Sequence, residues 1–140
     1  MIGRMVLVIM GVLIVSSVSL QASEPEKIQT AVASAEKWLS IVDEGKYGES
    51  WEHAAEYFRN AINQEKWTQS LKAVREPLGK LISRTVTRIT YETALPGAPD
   101  GEYVVIQFST SLERKKTAME TVTPMLDKDG TWRVSGYYIK

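Results

Sequence analysis

The spacing of apolar residues changes once along this chain, at Gly79, and this change constrains the fold more than any other feature. From Glu24 to Gly79 the apolar residues recur at helical intervals. From Leu81 to Lys140 they alternate, with turn residues between the runs. Helices grouped before strands predict an α+β domain.

The first helix is expected to start near Glu24-Pro25-Glu26, where proline is tolerated in the first turn and acids suit the positive end of the helix dipole. Ile28, Val32, Ala35, Trp38, Leu39 and Val42 form one stripe, and Gly45 closes it. A second helix is expected from Tyr47 or Ser50 to Ile62, with Trp51, Ala54, Ala55, Phe58 and Ile62 on one face. A third is expected over Gln64 to Leu78, with Trp67, Leu71, Val74 and Leu78 aligned, Pro77 near its end and Gly79 as its stop. Four strands follow: Leu81 to Thr93, rich in β-branched residues; Glu102 to Leu112, with Val104, Ile106, Phe108 and Leu112 on one face; Thr117 to Leu126; and Trp132 to Ile139. Leu95 to Gly101 is a turn by composition, Glu113 to Lys116 a charged hairpin connection, and Asp129-Gly130 a hairpin signal. Three helices followed by a four-stranded meander predict a curved antiparallel sheet with the helices on its concave face.

Residues 1–22 read as a secretory signal peptide. A short basic start at Arg4 precedes an unbroken run of apolar residues and glycine from Met5 to Val15, and then Ser16 to Ser23 supplies a small-residue exit with cleavage expected after Ala22. The apolar run is well short of the roughly 20 residues that span a bilayer. Residues 23–140 are then expected to form one domain. The 17 basic and 17 acidic side chains balance, and loss of Arg4 alone leaves about −1, which argues against nucleic acid or an anionic membrane as partner. With no cysteine the domain has neither disulfides nor a lipid-attachment residue, and must be held by packing. No membrane span is expected after cleavage. Four tryptophans, six tyrosines and two phenylalanines provide aromatic bulk for a small core.

An ordered series of residues also resembles a known family. It comprises Trp38-Leu39, Asp43 and Gly45; Ser50-Trp51, Ala54-Ala55 and Phe58; Trp67; Val74-Arg75-Glu76-Pro77-Leu78-Gly79; Leu95 to Tyr103; and Gly130 to Ile139. The chain is similar in these to the bacterial "domain of unknown function 4019" family, itself similar to the cone-shaped, cystatin-like superfamily of nuclear transport factor 2 and ketosteroid isomerase. The resemblance implies a fold and an exported setting, and no activity.

Cone-shaped domains hold ligands between helices and concave sheet, and enzymes of that shape place an Asp or His general acid or base there. The single histidine, His53, falls opposite the Trp51–Phe58 face of its helix and is expected to face solvent. Asp43, at the unfavourable end of the first helix's dipole, is expected in a solvated turn. Alternation places Glu120 on the face of Val122 and Leu126, so it should point inward and need a partner, for which Arg75 and Arg84 are candidates. Two uses are open for it: a polar-ligand pocket, or a buried ion pair fixing helix against sheet, the simpler of the two. Trp38, Trp51, Trp67 and Phe108 complete the expected lining. Asp127-Lys128-Asp129-Gly130 lacks the later ligands of a calcium loop, and neither metal spacing nor a cofactor motif is present. The Tyr137-Tyr138 pair straddles both faces of the last strand, leaving one ring outside.

Three readings follow. The first is a non-catalytic domain binding a small molecule or an envelope protein. The second is a cofactor-independent enzyme with Glu120 or Asp43 as base. The third is a subunit that forms a homodimer through its open sheet. A solvent-connected cavity with Glu120 unpaired would favour the enzyme; an interior plugged by the aromatic residues would remove both the enzyme and the small-ligand versions.

Overall fold

The computed structural model describes residues 21–140, so the expected signal peptide lies almost wholly outside them. Helix α1 (Glu24–Asp43) begins where Ser23 caps it, the hydroxyl accepting from the Glu26 N–H. It ends at Gly45, whose φ of 77° allows its N–H and that of Lys46 to return to the Val42 and Ile41 carbonyls. That stop leaves Asp43 in the last turn, over the sheet. The buried stripe is Ala31, Ala35, Trp38, Leu39 and Val42, with Ile28 and Val32 partly buried beside it.

The second expected helix is instead two short ones, α2 (Tyr47–Glu52) and α3 (Glu56–Ala61). Between them Ala54 and Ala55 are fully buried, and the Ala55 N–H donates to the Val134 carbonyl at 2.8 Å. That tertiary hydrogen bond takes the place of a helical one, so the chain turns there. Helix α4 (Gln64–Arg75) is capped by Asn63, whose side chain accepts from the Lys66 N–H at 2.9 Å. It passes at Pro77 into a 3₁₀ turn, Glu76–Leu78, rather than staying α-helical to Leu78. The expected apolar face of α4 is rotated: Leu71 and Arg75 are buried, and Val74 is 46% exposed.

Strands β1 (Leu81–Glu92), β2 (Tyr103–Leu112), β3 (Lys115–Leu126) and β4 (Trp132–Ile139) form one antiparallel meander in the order β1-β2-β3-β4. Val104, Ile106, Phe108, Thr110 and Leu112 of β2 are buried. Gly79 sets the helix-to-sheet corner. Its φ is 78°, and a Cβ there would lie 2.8 Å from that of Glu113, so the position excludes any side chain. One core runs between α1 and the sheet, with Trp38, Leu39, Leu71, Ile106, Phe108 and Val122 among its members. Among the described residues no helix is long and apolar enough to cross a membrane.

Candidate functional site

Alternation along β2 and β3 brings Thr110, Phe108 and Glu120 to the helix side of the sheet, Phe108 directly opposite Glu120 in register. Glu120 is fully buried, and nothing apolar can compensate a carboxylate there. Four groups do so. Arg84 Nε of β1 donates to Oε1 at 2.8 Å, and Thr110 Oγ1 to the same oxygen at 2.6 Å. The Tyr137 hydroxyl of β4 donates to Oε2 in a short hydrogen bond, and Arg75 Nη1 of α4 lies 3.7 Å from Oε2.

Asp43 does not sit in a solvated turn as its position at the end of α1 suggests. The ends of α1 and α4 converge over β1, and both arginines reach it. Arg84 holds it in a two-pronged pair, Nη1 to Oδ2 at 2.7 Å and Nη2 to Oδ1 at 2.9 Å, and Arg75 Nη2 reaches Oδ1 at 2.9 Å. Two arginines and two carboxylates thus neutralise one another at a point touched by α1, α4 and all four strands. Among the described residues, the one buried polar side-chain atom without a hydrogen-bond partner is Arg75 Nε. Burial alone would raise the Asp43 pKa, but the hydrogen bonds from Arg84 and Arg75 outweigh it and hold the carboxyl below its ordinary value. Burial, reinforced by the Glu120 charge, pushes the Tyr137 phenol well above the usual tyrosine range.

The aromatic residues fill the space beside this cluster. Trp38 packs 5.4 Å from Tyr137 and 6.4 Å from Trp67, measured between ring centroids, and Phe58 meets Trp67 edge-on at 4.7 Å. Ser50, fully buried on α2, serves both indoles: its carbonyl accepts from Trp38 Nε1 at 2.8 Å and its hydroxyl from Trp67 Nε1 at 2.9 Å. Trp51 is not with them. It is half-buried under α3, donating to the Ile62 carbonyl at 2.7 Å. His53 lies at the surface beside Glu49. Among the described residues no group of His, Cys, Asp or Glu is placed to hold a metal ion.

Glu120, Asp43, Arg75 and Arg84 are therefore brought together, with Trp38, Trp67 and Phe108 packed nearby. Sequence reasoning missed three members. Thr110 could have been found, since it shares the alternation of Phe108 and Leu112. Ser50 could have been found as well, since it precedes Ala54 by one helical turn on the expected apolar face; Tyr137 could not, because β4 slips register.

The arrangement fixes a pH dependence. Asp43 has its pKa lowered by folding, as do Glu102, through Lys27 and Tyr91, and Asp129, which Arg133 and the Thr131 N–H bring down to about 2. Such groups stabilise the fold above their unfolded pKa, near 4, and that contribution is lost as pH falls through the folded values. Tyr137 has the opposite shift, so its contribution is lost as pH rises above the ordinary tyrosine value of 10.0. Urea midpoints measured across pH should hold level between these limits, fall below about pH 4 down to about pH 2, and fall again above about pH 10.

Residues 34–137 match the model of a family described as protein of unknown function (DUF4019). No curated protein matches the chain.

Proposed function

The chain belongs to the DUF4019 family of proteins of unknown function, and from that premise we propose that it is a non-catalytic interaction domain working outside the cytoplasm. The observation that carries the reading is the closed cluster. Asp43, Arg75, Arg84 and Glu120 pair with one another, and Trp38 and Trp67 fill the space beside them. A general base needs a carboxylate free to take a proton, and a pocket for an anion needs an arginine free to give a hydrogen bond. Both carboxylates are already committed, and of the two guanidiniums the Arg75 Nε–H, buried inside the cluster, is the unpaired donor, which leaves the enzyme reading, with Glu120 or Asp43 as base, without a free carboxylate and favours the use of an outer surface.

The outer sheet face suits that use. Cross-strand rows there run Thr85–Ser109–Met119 and Arg88–Gln107–Thr121–Tyr138. Arg88 lies within the second row, Lys140 pairs with Met119 at the end of the first, and Met119 and Tyr138 stand exposed. An envelope protein or a second copy of the chain fits such a face better than a charged polymer.

Export is supported by where the fold begins. The α1 cap at Ser23 follows the expected cut after Ala22 directly, so processing there would leave α1 and its cap whole. Expression of the full chain with its own leader in a bacterial cell tests this. The expected product lies in the extracytoplasmic fraction with the intact mass of a chain starting at Ser23; cytoplasmic material starting at Met1 contradicts the proposal.

A further inference from the structure

The outer edge of β4 is covered over only part of its length. Met119 and Lys140 exchange both backbone hydrogen bonds, and Thr121 faces Tyr138 in register. The main-chain groups of Tyr138 and Lys140 therefore point toward β3, and those of Tyr137 and Ile139 point away from the sheet. Because β4 ends the strand order, no strand among the described residues meets these outward groups. Toward its start the domain covers the same edge itself: the Ser34 hydroxyl donates to the Trp132 carbonyl at 2.7 Å, and the Ala55 N–H to that of Val134 at 2.8 Å. At Tyr137 and Ile139 the edge opens instead on a groove of about 200 Å³ between β4 and α4, its far wall made by Trp67, Ser70, Leu71 and Val74. None of its lining residues is charged. Uncovered edges are ordinarily closed by charge, proline or a covering segment.

We propose that this groove takes an extended, uncharged peptide segment of a partner protein, which adds to β4 as a fifth strand. Its main chain would pair with Tyr137 and Ile139, and an apolar side chain would enter against Leu71 and Val74. The outward N–H and C=O groups call for an extended main chain, which a small apolar molecule cannot offer. The uncharged lining matches an uncharged segment, since a charge placed there would lose its water without gaining a partner. The groove has the β4 edge on one side and α4 on the other. The inference rests on the interaction-domain reading and gives that reading its partner chemistry.

The test is an NMR titration of the purified, ¹⁵N-labelled chain with the capped peptide acetyl-Val-Thr-Val-Thr-Val-amide. Amide shifts are expected to move at Tyr137, Ile139, Leu71 and Val74, and hydrogen exchange at Tyr137 and Ile139 to slow about tenfold near saturation. Val74→Glu, at an exposed position that leaves the core intact, should weaken binding about tenfold. Unmoved Tyr137 and Ile139 amides, or undiminished binding by Val74→Glu, would overturn the proposal. Protection of those amides that grows with protein concentration in the absence of peptide would assign the edge to a second copy and overturn it equally. Failure here leaves the packed interior and the export test untouched, and a chain found in the cytoplasm leaves the titration still decisive for the groove.

Discussion

Arg84→Met is expected to destabilise the domain by about 3–5 kcal/mol, in the lower half of that range because Asp43 and Arg84 keep slight solvent contact. Arg84 makes both prongs of the Asp43 pair and the 2.8 Å bond to Glu120. Without it the buried cluster carries one net negative charge, and Arg75 alone must serve two carboxylates, one of them 3.7 Å away. The penalty is that of an uncompensated charge rather than of a lost contact. Replacing the whole cluster together (Asp43→Leu, Arg75→Met, Arg84→Met, Glu120→Leu, Thr110→Val, Tyr137→Phe) should therefore bring stability back to near that of the unaltered protein, because no charge is left stranded. Urea denaturation of both variants decides the matter. A loss below about 1 kcal/mol for Arg84→Met alone would mean that the pair is no stronger than a surface salt bridge.

Trp38→Ala should cost a similar amount, about 3–5 kcal/mol. Trp38 is 3% exposed, packs against Trp67 and Tyr137, and satisfies the Ser50 carbonyl. Truncation leaves a cavity bounded by aromatic rings and an unpaired acceptor at Ser50. A molecule with the shape of the lost ring fits that cavity, and an indole N–H restores the donor to the Ser50 carbonyl. Added indole should raise the melting temperature of Trp38→Ala and leave the unaltered protein unmoved. Stabilisation of the unaltered protein by indole would show that its interior already has room for a ligand.

The sheet was legible in the sequence because its period is simple. β2 has one alternating face buried, and β4 has the expected bounds. The inward turn of Glu120 follows from the same alternation. What alternation could not show is the slip between Thr123 and Pro124, where Ser135 is the extra residue of β4. Trp132, Val134, Tyr137 and Ile139 all lie on the helix side, a sequence of positions with no fixed period. Tyr137 was therefore unassigned as the hydroxyl partner of Glu120. The helices were less legible where tertiary contacts override local pattern. Ala54 and Ala55 are good helix formers, yet burial against β4 and the hydrogen bond to Val134 end α2 and start α3. Asp43 misled for a related reason. The dipole at the end of α1 opposes an acid there, but two arginines from elements distant in sequence outweigh it.

That Asp43, Arg75, Arg84 and Glu120 form a closed lock, each carboxylate held by an arginine, is tested most directly at the Arg84 Nε–H. In this structure that proton is given to a fully buried carboxylate. In an ¹⁵N-resolved NMR spectrum at neutral pH it should appear as a sharp, slowly exchanging resonance. Titration with acetate or phosphate should leave it in place. A resonance lost to fast exchange, or one that shifts saturably with either anion, would contradict the lock and make the cluster a binding site.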